Sequence, residues 1–112
     1  MKFLCPSDTL APNSSLGFTI DGTPLLAVRR DGIAYFYINR CPHRGIPLEW
    51  QPDQFLDDSA SLIQCATHGA LFLIESGECI AGPCAGKSLK ALHGREDEQG
   101  LWVDLYLVKQ HV

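Results

Sequence analysis

The feature that most constrains this chain is a doubled Cys–His pair. Cys41-Pro42-His43-Arg44-Gly45 is answered further on by Cys65-Ala66-Thr67-His68-Gly69. Each half offers one thiolate and one imidazole, with a glycine close behind. Two soft sulfurs and two ring nitrogens form a ligand set for a metal centre. A zinc ion accepts four such ligands in a tetrahedron, but its structural sites usually leave two or more residues between paired ligands. The first pair here has only Pro42 between, so in an extended loop the two side chains diverge toward different atoms of a larger centre. A [2Fe–2S] rhomb is such a centre: one iron takes both cysteines and the other both histidines. Gly45 and Gly69 read as turn glycines, and the missing side chain also lets backbone N–H groups come close to the sulfurs.

The C-x-H…C-x₂-H arrangement resembles the Rieske signature. Gly77-Glu78-Cys79-Ile80-Ala81-Gly82-Pro83 is similar to the glycine-proline loop with which that family covers the third side of its cluster. The resemblance implies one [2Fe–2S] cluster, held by Cys41, His43, Cys65 and His68, in a cluster-binding region of about residues 40–86. Arg44, Gly45, Gly69, Ala70, Phe72 and Pro83 would surround it, with Pro83 as a lid and Arg44 as either a solvated charge or a docking residue. High-potential relatives brace the ligand loops with a disulfide, and place a serine hydroxyl on a cluster sulfide and a tyrosine hydroxyl on a ligand cysteine. The matching positions here are Ile46 with Thr67, Ala70 and Phe72, so all three devices are missing. The resemblance therefore implies a potential at the low end of the class, near roughly −150 mV, still above the roughly −400 mV of all-cysteine plant-type clusters. Two ferric ions, two sulfides and two thiolates cancel to a neutral site, which takes up an electron more easily than one with four thiolates.

A length of 112 residues suits one domain, and ten glycines and seven prolines suit short strands joined by tight turns. The net charge of −4 argues against nucleic acid as a partner and suits docking on a basic protein surface. Met1-Lys2-Phe3-Leu4-Cys5 is broken by Pro6-Ser7-Asp8 before a signal-like apolar region forms, and the run Ala70 to Ile74 is far short of a membrane span. Five cysteines, an odd count, read as a reducing cytoplasm rather than a disulfide framework. Cys79 and Cys84 are accordingly expected as thiols, and Cys5 as a core residue.

The pattern along the chain is all-β: a small antiparallel sandwich or barrel, with two hairpin loops carrying the cluster at one end. Strands are expected at 3–5, 16–20, 24–30, 33–39, 61–64, 70–74, 89–93 and 101–108. Asp21-Gly22, Asp31-Gly32 and Ser76-Gly77 are expected as turns, Pro47 to Asp58 as irregular structure with one turn of helix, and Glu96 to Gly100 as a connector. The strand Ile33 to Asn39 delivers the chain into the first ligand loop. Trp50, Trp102 and the aromatics of 35–37 are expected in packing, and His93 and His111 at the surface.

Such a centre performs one-electron transfer. An oxygenase would need two further histidines and a carboxylate on a second metal, and only His93 and His111 remain. Within the family the chain resembles the small ferredoxins that carry electrons from a flavin- or NAD(P)H-linked reductase to a terminal, ring-hydroxylating oxygenase. The next resemblance is to the small Rieske-like subunit of assimilatory nitrite reductase. A structural Cys₂His₂ zinc module for protein–protein interaction is the alternative of another class. Electrons leaving through His43 and His68 would cross a docking rim of Arg44, Ile46, Pro47, Leu48 and Pro83.

Overall fold

The computed structural model describes residues 1–42, 47–49, 53–66 and 69–105. Among the described residues nine strands run in the order β1 (Lys2–Cys5), β2 (Ser15–Ile20), β3 (Thr23–Arg30), β4 (Ile33–Ile38), β5 (Leu62–Gln64), β6 (Leu71–Leu73), β7 (Cys79–Ala81), β8 (His93–Asp97) and β9 (Gly100–Asp104). They form three antiparallel three-stranded sheets, in the orders β1-β9-β8, β2-β3-β4 and β5-β6-β7. The only helical piece among the described residues is a 3-10 turn at Ser7–Thr9.

The β2-β3-β4 sheet is the partition of the molecule. Residues alternate across a strand, and here both faces are buried. Leu25, Ala27, Phe36 and Ile38 enter one core with Cys5, Leu10, Leu101 and Val103. Leu26, Val28 and Tyr37 enter the other, with Ile63, Phe72 and four of the five cysteines. A strand buried on both faces reads as a continuous apolar run, which is why Leu25-Leu26-Ala27-Val28 shows no polar alternation. Its turns are Asp21-Gly22 and Asp31-Gly32, with φ of 51° and 78°, and 53° and 79°. Two successive positive φ values make hairpin turns whose twist matches the strands, and they set the register Ile20↔Thr23 and Arg30↔Ile33.

Strand β7 has no counterpart among the expected strands, several ends differ by a residue, and the larger strand departures lie beyond residue 88. Residues 89–92 form no strand. Leu89 joins one core and Leu92 the other, so the segment crosses between cores and touches β4 only through the Tyr37↔Ala91 bridge and bonds such as Leu92 N–H to Phe36 O at 2.9 Å. The next strand, β8, extends to Asp97, into the expected connector. The Asp97 carboxylate shortens the turn by accepting from Gln99 N (2.9 Å), Gly100 N (3.2 Å) and Trp102 Nε1 (3.0 Å). The last strand ends at Asp104, and residues 106–108 of the expected span lie outside the described residues. The expected helical turn is absent from the described part of 47–58. There the Asp57 carboxylate instead accepts from Ser61 N at 3.0 Å and Leu62 N at 3.1 Å, turning the chain into β5.

Candidate metal centre

The first ligand pair follows β4, held at its exit by Asn39. Its N–H donates to Pro24 O at 3.0 Å, and its side chain works in both directions. Nδ2 donates to Glu49 Oε1 at 2.7 Å, while Oδ1 accepts from Leu48 N at 2.8 Å. Leu48 O then accepts from Ala66 N at 2.8 Å. One buried amide thus ties the strand before Cys41 to the chain beyond that pair, and through Leu48 to the residue after Cys65. Sequence reading placed Asn39 merely at the end of a strand. The available signal was a lone amide closing an aromatic, β-branched strand just before a ligand.

The second pair follows β5. Cys65 N donates to Ala70 O at 2.9 Å and Gly69 N to Cys65 O at 2.8 Å. Gly69 has a φ of +70°, a left-handed conformation for which glycine is the natural residue. A third loop closes behind, after β7. Cys79 N donates to Lys87 O at 2.8 Å, and Lys87 N to Cys84 O at 2.9 Å. A side chain on Gly82 would come within 2.8 Å of the Ala70 Cα, so the glycine-proline loop packs directly on the second ligand loop. Tyr37 braces the same region by donating its hydroxyl to Ile74 O. Burial, with Tyr35 and Glu75 nearby, pushes that phenol up to about 12, so it stays a donor.

Cys41 and Cys65 are both 0% exposed and lie in one apolar cluster with Leu48, Phe55, Ile63, Ala70, Phe72, Cys79 and Cys84. The fold therefore brings together two sulfur donors from two separate loops, in the desolvated setting a neutral cluster favours. Ala70 and Phe72 are fully buried and Pro83 is exposed. His43, Arg44, Gly45, Ile46, Trp50, Thr67, His68 and His111 lie outside the described residues. The expected docking rim needs one correction. Pro47 is exposed, but Leu48 is 0% exposed, because its backbone links the two ligand loops and its side chain fills the core beneath them. Cys79 and Cys84 are free thiols with their sulfurs 3.1 Å apart. Burial, aided by the neighbouring Cys79 and Cys41 sulfurs, pushes the Cys84 thiol up to about 12.

Two sulfurs presented by paired loops, with a glycine-proline loop laid over one of them, define a class of iron–sulfur domain. A family model of the Rieske [2Fe–2S] domain matches residues 1–103, and the chain belongs to that family. It is 32% identical over 81 residues to cholesterol 7-desaturase of Caenorhabditis elegans, covering 71% of this chain and 18% of that protein, so it spans less than a fifth of that curated relative. In fold it is similar to the ferredoxin of carbazole 1,9a-dioxygenase from Nocardioides aromaticivorans IC177, with a TM-score of 0.73, 24% identity, and coverage of 89% of this chain and 92% of that one. It is also similar to a chain of the reduced oxygenase–ferredoxin complex of carbazole 1,9a-dioxygenase, with a TM-score of 0.77 and 22% identity, covering 89% of this chain and 27% of that one. A Rieske domain binds a [2Fe–2S] cluster and transfers electrons through it. Family membership thus decides for a [2Fe–2S] cluster over zinc as the cofactor.

Proposed function

We propose that this chain is a Rieske-type ferredoxin, a one-electron carrier between a flavin- or NAD(P)H-linked reductase and a terminal, ring-hydroxylating oxygenase in the cytoplasm. Residues 1–112 act as one domain with no substrate chemistry of their own. Cys41 and Cys65 would hold one iron of the cluster, and His43 and His68 the other. The observation that carries the reading is mutual coverage. The likeness to a dioxygenase ferredoxin takes in 89% of this chain and 92% of that one, whereas it takes in only 27% of the chain matched in the oxygenase–ferredoxin complex. No helix among the described residues is long and apolar enough to cross a membrane.

The rest of the chain's own work is positional. Asn39 holds the two ligand loops together, Gly69 allows the second loop its tight return, and Gly82 lets the third loop close on Ala70. Anaerobically purified chain should contain about two irons and two acid-labile sulfides. Pull-down from native extract should recover a reductase and an oxygenase. One zinc and no sulfide would end the ferredoxin reading, and recovery of an assimilatory nitrite reductase alone would replace the partner.

A further inference from the structure

We propose that Cys79 and Cys84 form a redox-sensitive clasp, a dithiol that peroxide closes to a disulfide, pinning the glycine-proline loop against the second ligand loop. That the loop covers a cluster rests on the function proposed above, whereas the sulfur pair belongs to the fold itself. Four cysteines gather in the core beneath the loops: Cys41, Cys65 and Cys84 are 0% exposed and Cys79 is 2% exposed. Cys41 and Cys65 belong to the Cys–His pairs, and Cys79 and Cys84 do not. Both of the latter are free thiols, and their sulfurs are 3.1 Å apart. A disulfide bond is about 2 Å long, so a closure of about 1 Å joins them.

The loop holds the pair in place. Positive φ values at Gly82 (100°) and Gly86 (90°) turn the chain back on itself. Cys79 N donates to Lys87 O at 2.8 Å, Lys87 N to Cys84 O at 2.9 Å and Ala85 N to Gly82 O at 3.2 Å, which returns residue 84 to residue 79. The Cys79 thiol donates to Ala81 O at 3.2 Å, anchoring that sulfur to the same loop. Ile80, Gly82, Pro83, Ala85 and Gly86 around the pair are exposed. The sulfurs therefore lie just beneath a surface loop, and a small oxidant reaches them by local opening rather than by unfolding. With hydrogen peroxide, one cysteine sulfur attacks a peroxide oxygen, the O–O bond breaks, and water leaves a sulfenic acid behind. The other sulfur then attacks the first. The S–S bond forms, the S–O bond breaks, and the departing hydroxide takes the second thiol's proton and leaves as water. Two thiols thus lose two electrons and peroxide gains them, giving one disulfide and two waters. In a reducing cytoplasm disulfides are usually of this transient, redox-sensing kind. The bridge closes residues 79–84 and restricts the opened states of the loop. Within it, a side chain on Gly82 would come within 2.8 Å of the Ala70 Cα, so what holds this loop shut also holds the cover on the second ligand loop.

Peptide mass mapping of the loaded full chain tests this, after hydrogen peroxide, denaturation and alkylation, with iron and sulfide measured on every sample. The parent should lose two alkylatable thiols, those of Cys79 and Cys84, and regain both with dithiothreitol. Cluster loss to a chelator reads the consequence, and should be roughly threefold to tenfold slower in the disulfide form than in the reduced form. Cys79→Ser and Cys84→Ser keep a small side chain but cannot cross-link, so peroxide should not slow their cluster loss. Thiols that both stay alkylatable after peroxide has bleached the cluster overturn the proposal, as does a bridge from either to Cys41 or Cys65. Equal loss rates in the two forms of the parent overturn it too, as does the same slowing in the serine variants. Where neither serine variant retains its cluster, the oxidised parent treated with dithiothreitol decides: return to the faster loss supports the clasp, and a rate that stays slow overturns it. A parent chain without iron and sulfide overturns the proposed function and this inference together. A loaded parent whose pair stays reduced overturns this inference alone.

Discussion

The two faces of the β2-β3-β4 sheet support two differently built halves. On one face, β1-β9-β8 packs Leu101 and Val103 against Leu25, Ala27 and Phe36, and β8 and β9 pair along five residues each. On the other, β5, β6 and β7 have three residues apiece, and individual backbone bonds around Asn39, Cys65 and Cys79 hold the loops. The first half is stabilised by apolar area and regular ladders. Among its described residues the second has only these short strands and concentrates its sulfur, so individual loop bonds carry much of its order. A rigid half thus carries a half built for ligation, as a site that must hold its ligands in fixed geometry requires.

Substitutions should separate these halves. The largest effect is expected from His43→Ala or His68→Ala, each of which should destroy or severely loosen the cluster while the far-ultraviolet spectrum keeps its strand signature. Retention of an unaltered visible spectrum would remove that histidine from the ligand set. Leu101→Ala should do the opposite, costing about 2–5 kcal/mol of unfolding free energy while the folded fraction keeps its cluster spectrum. Asn39→Ala strikes the junction. It leaves the Leu48 N–H unpaired in a buried setting, should cost about 1–3 kcal/mol, and should speed cluster loss to a chelator more than Leu101→Ala does. Equal rates in the two variants would dissolve the distinction between the halves.

The smallest effect is the acid response of the first half. Arg29, buried, donates to both Glu96 carboxylate oxygens, at 2.7 and 3.0 Å, and to Leu10 O at 3.2 Å. The Arg29 hydrogen bonds hold the Glu96 carboxyl below its ordinary 4.5. A carboxyl lowered in the folded state adds stability above its unfolded value and loses it as pH falls through the folded one. Glu96→Gln should therefore lower stability modestly at neutral pH and flatten its decline below about pH 4.5. An acid limb as steep as the parent's would assign that decline to other carboxylates.

Local chemistry was readable from sequence, and compensation between distant segments was not. Asp21-Gly22 and Asp31-Gly32 specify their hairpins through backbone conformation alone, and the Cys–His pairs announce their chemistry through residue type and spacing. Leu89 to His93 alternates as a strand would, but residues 89–92 meet β4 through one isolated bridge and individual bonds rather than a ladder. Period-2 alternation does not reveal that tertiary feature. Leu48 looked like part of an exposed rim because a hydrophobic residue between Pro47 and Glu49 has no periodic neighbours to show which way it faces. The Asn39 brace joins residues nine positions apart through one side chain, and nothing in either segment alone reveals it. The approach of Cys84 to Cys79 was hidden in the same way: the sequence leads one to expect two thiols, and only the packing sets their sulfurs 3.1 Å apart.

The central claim is a low-potential Rieske centre at Cys41, His43, Cys65 and His68, and voltammetry of the purified chain at neutral pH tests it most directly. With no hydroxyl at Ala70 or Phe72 and a net charge of −4, a single one-electron wave is expected near roughly −150 mV. A midpoint above roughly +100 mV, or one near the roughly −400 mV of all-cysteine clusters, would contradict it.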